Sequence, residues 1–142
     1  MLRGISPLIS PDLLKALAEM GHGDEIVFTD AHYPQSGCAD RVLRADGLSI
    51  PALLKATLEL MPLDQYNDWQ YGLMETVGDD PTPTIWPEYE KLIEKSYPGA
   101  TKKLFERFAF YEHAKKAYVT VVTGETAQYG NIILKKGVLK DS

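Results

Sequence analysis

Apolar residues along this chain follow two rhythms, one at helical spacing and one in short unbroken runs. Leu13, Leu14, Leu17 and Met20 recur at helical intervals, which predicts an amphipathic helix. Ser10-Pro11-Asp12 supplies its start: a capping hydroxyl, a proline suited to the first turn, and a negative charge at the positive end of the dipole. Gly21 is placed to end it. Ile26-Val27-Phe28 then forms an apolar run of strand length, the pattern of a strand covered on both faces. Arg41 to Arg44 predicts a second strand, closed by Asp46-Gly47. Ser49 caps a second helix with Ile50, Leu53, Leu54, Leu58 and Met61 on its buried stripe, and Pro62 stops it.

Beyond Pro62 the periodicity weakens. Tyr71 to Glu75 has strand character, and Asp79 to Pro87, with Pro81 and Pro83 inside it, is a loop. Pro87 opens a helix to about Ser96. Lys103 to Glu106 reads as a weak strand and Arg107 to Lys116 as a short helix. Ala117 to Val122 is the clearest strand, rich in β-branched residues, and Asn131 to Leu134 is the last, after a loop from Gly124 to Gly130. Strands alternate with helices, with no linker or repeat. The pattern predicts one α/β domain over residues 1–142, with a largely parallel sheet and helices on both sides.

Composition narrows the function classes. A net charge of −5, with no run of Lys or Arg longer than two, argues against a surface that tracks nucleic-acid phosphates. Cys38 is the only cysteine, so an intrachain disulfide and a cysteine-based zinc site are both excluded. The longest apolar stretch, Ala117 to Val122, is far below the ~20 residues that span a bilayer, and the N-terminus lacks an apolar segment of signal-peptide length. A cytoplasmic protein, with neither membrane nor nucleic acid as partner, is expected.

Candidate chemistry gathers around the first predicted strand. His22 lies between two glycines, where the backbone can approach a ligand closely. It reads either as a helix-end imidazole favoured by the dipole, or as a general acid or base. Asp30 follows the strand directly, the place where open α/β sheets bind ligands, although a loop Asp can also serve a turn. Asp24 and Glu25 read as solvated charges or orienting partners of His22, and His32 as a further site residue or a loop residue. Taken together, His22, Asp24, Asp30 and His32 could be read as metal ligands, but their spacing matches no recognised pattern. Arg107 beside an aromatic cluster is a fixed donor for a hydroxyl or carboxylate, while His113 at the polar end of the same helix looks like solvated surface. Tyr129 and Asn131 offer a hydroxyl and an amide suited to neutral polyols, in a loop that otherwise reads as a plain turn. Neither a phosphate-binding loop nor a dinucleotide fingerprint occurs.

Several segments together resemble the D-ribose pyranase/L-fucose mutarotase family, on its fucose mutarotase side. They are Ile5 to Pro11 with Leu13-Leu14, Leu17 to Ile26, Asp30-Ala31-His32 with Pro34, Arg44 to Leu48, Arg107 to Glu112, Thr123-Gly124-Glu125 and Tyr129 to Val138. The middle, roughly Pro62 to Leu104, carries no part of the resemblance. The resemblance implies a three-layer α/β/α fold with a mostly parallel, mixed central sheet, and a ring-shaped homo-oligomer, typically a decamer, with sites at subunit contacts. It implies that His22 is the proton donor and that Asp30, Arg107, Tyr129, Gly130 and Asn131 contact the sugar. His32 and Asp24 are possible additions, His32 as a mark of fucose preference. The implied activity interconverts the anomers of free L-fucose by ring opening and closure, with no cofactor and no metal. D-ribose pyranase activity and sugar binding without turnover are the alternatives.

Overall fold

Ile26 and Phe28 pack into one hydrophobic cluster and Val27 into another, as a strand buried on both faces requires. The chain is described here by a computed structural model covering residues 1–140. In chain order its elements are α1 (Pro11–Glu19), β1 (Glu25–Thr29), β2 (Val42–Ala45), α2 (Ile50–Leu58), β3 (Tyr71–Met74), α3 (Ile85–Ser96), β4 (Lys102–Phe105), α4 (Arg107–Ala114), β5 (Val119–Thr123) and β6 (Ile132–Lys135). The strands form one sheet in the order β2-β5-β1-β6-β3-β4. Strand β5 pairs parallel with β1 and β2, and β3 pairs parallel with β4. Strand β6 lies between β1 and β3 and runs antiparallel to both. The sheet is therefore mixed, with β6 alone reversed.

One face carries Ile26, Phe28, Leu73, Val121 and Ile132 against Leu13 and Leu17 of α1, Leu53 and Leu54 of α2, and Trp86 and Tyr89 of α3. The other carries Val27, Met74 and Ile133 against Phe110 and Ala114 of α4. This is the expected three-layer α/β/α domain, more thinly covered on the α4 side.

The helix starts show where local signals give way to tertiary ones. Ser10 Oγ accepts from Leu13 N at 3.1 Å, the predicted cap of α1. Ser49 occupies the N-cap position of α2, but its side chain makes no capping bond. The carboxylate of Glu125, distant in sequence, accepts from Ile50 N at 3.1 Å instead. Helix α3 begins at Ile85, two residues before Pro87, which sits in the first turn where a missing N–H leaves no bond unmade. The left-handed backbone after α1 falls on Gly23 (φ 87), not on Gly21. His113 is not solvated surface. Its Nε2 lies 2.6 Å from Glu25 Oε1, and its ring packs 4.8 Å from that of Phe105. Glu25 is held there, with Lys135 at 3.8 Å, and so is neither solvated nor a partner of His22.

Candidate active site

The C-terminal ends of β1 and β3 meet the N-terminal end of β6 at one end of the sheet's interior strands. Three connections meet at that end, carrying Asp30, residues 75–80 and Tyr129-Gly130-Asn131. Helix α4 adds Arg107 and Tyr111. Between them lies a cleft of about 380 Å³, lined by Asp30, His32, Tyr33, Met74, Val77, Asp80, Arg107, Tyr111, Gln128, Tyr129 and Asn131, among others. That volume lies within the usual range for small-molecule sites.

Each polar group is fixed by its element. Asp30 is half-buried, and its Oδ1 accepts from His32 N at 2.9 Å. Desolvation pushes its carboxyl above the usual carboxylate range, against the lowering effect of the His32 amide. Asn131 Oδ1 accepts from Asp30 N at 2.7 Å, tying the end of β1 to the start of β6. Arg107 opens α4 just after the cap residue Glu106, whose carboxylate accepts from Phe108 N and Ala109 N. Its Nε donates to Tyr111 Oη at 3.2 Å, and its guanidinium lies against the Phe108 and Tyr111 rings.

Tyr129 is held in the left-handed region (φ 56), which a bulky side chain adopts only under constraint. The constraint comes from α3. Trp86 Nε1 donates to Tyr129 O at 2.9 Å, and Tyr89 Oη donates to Gly130 O at 2.6 Å. The Tyr129 hydroxyl then reaches across the cleft mouth, donating to Asp80 and accepting from Val77 N. Tyr129→Phe removes both bonds and is expected to loosen residues 77–80 at a cost of about 1–3 kcal/mol, two hydrogen bonds at their usual net worth. Amide hydrogen exchange at Val77 and Asp80 should then speed up by roughly fivefold or more.

Asp30, His32, Arg107, Tyr129 and Asn131 thus line the cleft, and Gly130 is buried beside it. His22 and Asp24 are elsewhere. They precede β1, whose five residues at about 3.3 Å each put roughly 17 Å of strand between them and Asp30. The four residues that sequence alone would allow as one metal site therefore stand at opposite ends of a strand. Among the described residues, no three His, Cys, Asp or Glu side chains group to hold an ion. Asp24 Oδ2 accepts from Gly21 N at 2.8 Å and closes the turn that displays His22.

The partner of His22 is Asp64, which no sequence pattern singles out. His22 Nε2 lies 2.8 Å from Asp64 Oδ1, with the imidazole 44% exposed and the carboxylate fully buried. The Asp64 carboxylate also accepts from Tyr66 N at 3.0 Å and from Asn67 Nδ2. Burial pushes the Asp64 carboxyl up, but the Tyr66 amide, His22 and Asn67 together hold it below the usual carboxylate range. The Tyr66 ring meets the imidazole edge-on at 5.3 Å.

A sequence model described as the RbsD / FucU transport protein family matches residues 3–139. The chain belongs to the RbsD / FucU family. Within it, the chain is 53% identical over 141 residues to a protein named L-fucose mutarotase from Histophilus somni (strain 2336), covering 97% of each. A crystal structure of the fucose mutarotase from Streptococcus pneumoniae in complex with L-fucose is 51% identical and superposes with a TM-score of 0.92, covering 98% of this chain and all of that one. Bacillus subtilis RbsD complexed with D-ribose is further away, at 25% identity and a TM-score of 0.73, over 99% of this chain and all of that one. RbsD / FucU membership extends over the middle segment too, which is where the structure finds Met74, Val77 and Asp80 on the cleft and Asp64 beside His22. No helix among the described residues is long and apolar enough to cross a membrane.

Proposed function

We propose that this chain is an L-fucose mutarotase, an isomerase that interconverts the α- and β-anomers of free L-fucose. The observation that carries the reading is 51% identity, over nearly the whole chain, to a structure holding L-fucose. The cleft gives it chemical content. Arg107 and the carboxylate of Asp30 are donor and acceptor for hydroxyls, while Met74, Val77, Pro34 and Ala127 are apolar lining suited to the methyl group of a 6-deoxy sugar.

Mutarotation is a proton exchange around a ring opening. A proton is delivered to the ring oxygen as the C1–O bond breaks, and one leaves the anomeric hydroxyl as the C1 carbonyl forms. Rotation about C1–C2 and the reverse steps complete the change, with no net electron transfer. His22 delivers the proton. Asp30, its basicity raised by desolvation, anchors the sugar and receives the anomeric proton. Holding the open chain against Arg107, Tyr129, Gly130 and Asn131 keeps the aldehyde near its hydroxyl. His32 at the cleft wall contributes to sugar choice.

His22 and Asp30 are separated by the length of β1, so this reading requires His22 from a second copy of the chain. The site is then shared across a subunit contact in a homo-oligomer, with a decameric ring as the expected form. Exposed Tyr66 beside His22 and exposed Phe108 beside Arg107 are aromatic surface at the two places such a contact would join. A cytoplasmic location belongs to the same reading and fits a chain whose one cysteine, Cys38, is free.

Saturation-transfer NMR separates the sugars. Faster anomer exchange is expected for L-fucose than for D-ribose, and pyranose–furanose exchange of ribose as the main activity would overturn the assignment.

The raised affinity of Asp30 for a proton also predicts a stability effect. Its folded-state pKa lies above the unfolded value, so ionising it at neutral pH costs folding free energy. Asp30→Asn should therefore raise Tm at pH 7 while slowing exchange. The Tm gain should vanish as pH falls below the unfolded pKa of about 3.9, where both states are protonated. A lower Tm at pH 7 for the variant would contradict the desolvation argument.

A further inference from the structure

We infer that Asp80 is a positioning residue that holds the Tyr129 hydroxyl proton, so that Tyr129 meets the sugar only as a hydrogen-bond acceptor; this rests on the reading of Tyr129 as a sugar contact. A phenol hydroxyl has one proton to donate and two lone pairs with which to accept. Val77 N donates to Tyr129 Oη at 3.1 Å and occupies one lone pair. The Asp80 carboxylate offers only acceptor oxygens, so the hydroxyl proton is committed to Asp80 Oδ2. One lone pair remains, and the group that fills it must bring its own hydrogen.

Both sides of this contact are fixed by the fold. Tyr129 is set from α3, through the Trp86 bond to its carbonyl and the Tyr89 bond to that of Gly130. On the other side Asp80 N donates to Val77 O at 3.2 Å, with Gly78 in the left-handed region (φ 58) between them. That turn brings the Val77 amide and the Asp80 carboxylate to the same hydroxyl. Pro81 follows and restricts the backbone of Asp80 toward extended conformations. Glu75 N donates to Phe105 O at 2.8 Å, so the connection leaves the sheet from a tied end.

The consequence is a rule about the substrate. Arg107 lines the same cleft, carries only donors, and spends its Nε on Tyr111 Oη at 3.2 Å. A sugar hydroxyl lying between Arg107 and Tyr129 accepts from the guanidinium and donates to Tyr129 Oη. That oxygen donates in turn to Asp80, and each bond in such a chain polarises the next. An ether or a fluorine at the same position accepts from Arg107 but has no hydrogen for Tyr129. The subsite therefore requires a free hydroxyl, and Tyr129 does not carry the second proton of the reaction.

The test measures binding to the intact wild-type protein by NMR titration. The ligands are L-fucose and its analogues with fluorine in place of the hydroxyl at C2, C3 or C4. At one position the penalty for fluorine should shrink by roughly two- to twelvefold in Tyr129→Phe, the worth of one hydrogen bond, while the other two positions keep theirs. Asp80→Ala should shrink the same penalty, because the freed hydroxyl can turn its proton to the fluorine. Asp80 is exposed, so the variant should fold, and Asp80→Asn, which keeps a carbonyl acceptor, should retain most of the penalty. A merely structural role for Asp80 would weaken all four sugars alike, and unchanged ratios in Asp80→Ala would overturn the inference.

The phenol gives a second reading without any sugar. Its bond to Asp80 holds the Tyr129 pKa above the usual range, against the lowering effects of the Val77 amide and of Arg107 on α4. Asp30 and His32 after β1 and Tyr111 on α4 share the cleft and are the same in both proteins. Asp80→Ala should therefore let Tyr129 ionise at lower pH, read from its ¹³Cζ shift. A wild-type ring that ionises no higher than the variant's would overturn the inference. A phenol shift as expected, with no saturable binding of L-fucose, would instead remove the sugar reading on which the rule rests.

Discussion

His22→Ala is expected to slow enzyme-dependent anomer exchange of L-fucose by ~10²–10⁴-fold, the usual contribution of a positioned general acid. The protein should otherwise stay intact. His22 is 44% exposed and its ring contributes little to either hydrophobic cluster. The buried Asp64 carboxylate left behind keeps two further donors, Tyr66 N and Asn67 Nδ2, so the loss in stability should be modest. Sugar binding should survive, since Asp30, Arg107 and Asn131 remain in the cleft. The informative control is His32→Ala. His32 is the histidine that lines the cleft within one chain, so it is the direct rival for the role of acid. Exchange surviving in His22→Ala and vanishing in His32→Ala would assign the proton transfer to His32.

The second large effect comes from mixing subunits. Asp30→Asn and His22→Ala homo-oligomers should each be close to inactive. Assembled together from unfolded or co-expressed chains, they should regain activity, because some sites receive His22 from one variant and Asp30 from the other. For random assortment around a ring, roughly a quarter of sites would hold both intact groups. The expectation follows from the roughly 17 Å of β1 between the two residues, which no side-chain rotation closes. Mixed oligomers no more active than the parents would mean that His22 and Asp30 do not meet across a contact.

The parts of the site that are legible in the sequence are those governed by local rules. Asp30 stands out because it follows an apolar strand run, and the strand-mouth rule holds irrespective of strand order. Arg107 and Tyr129 stand out as a cation and a hydroxyl at the ends of clear elements. The cap of α1 is legible in Ser10-Pro11-Asp12 because all its parts lie within one turn. What escapes local reading is long-range. Glu125 caps α2 from 75 residues away, and Asp64 meets His22 from 42 away. Neither relation leaves a periodic trace in the sequence. Asp80 and Val77 sit in a proline-rich connection, and only the turn of β3 toward the cleft brings them under the Tyr129 hydroxyl. His113 is the converse case. On a helical wheel it faces outward with the polar residues, but β1 supplies Glu25 and β4 supplies Phe105 to cover it.

The distance between His22 and Asp30 also changes what the family resemblance means for this chain. The resemblance names residues without saying which chain each comes from. The fold separates them into a polar cleft at one end of β1 and a histidine–aspartate pair at the other. Function in this reading belongs to the assembly, and a lone subunit holds each half without its complement.

The central claim, that the chain turns over L-fucose and does not merely bind it, is tested most directly by saturation-transfer NMR on the wild-type protein at catalytic concentration. Saturating the anomeric proton of one L-fucose anomer should diminish the signal of the other, at a rate proportional to enzyme and well above that of buffer alone. Saturable fucose binding with exchange no faster than in buffer would contradict the account and leave a sugar-binding module in its place.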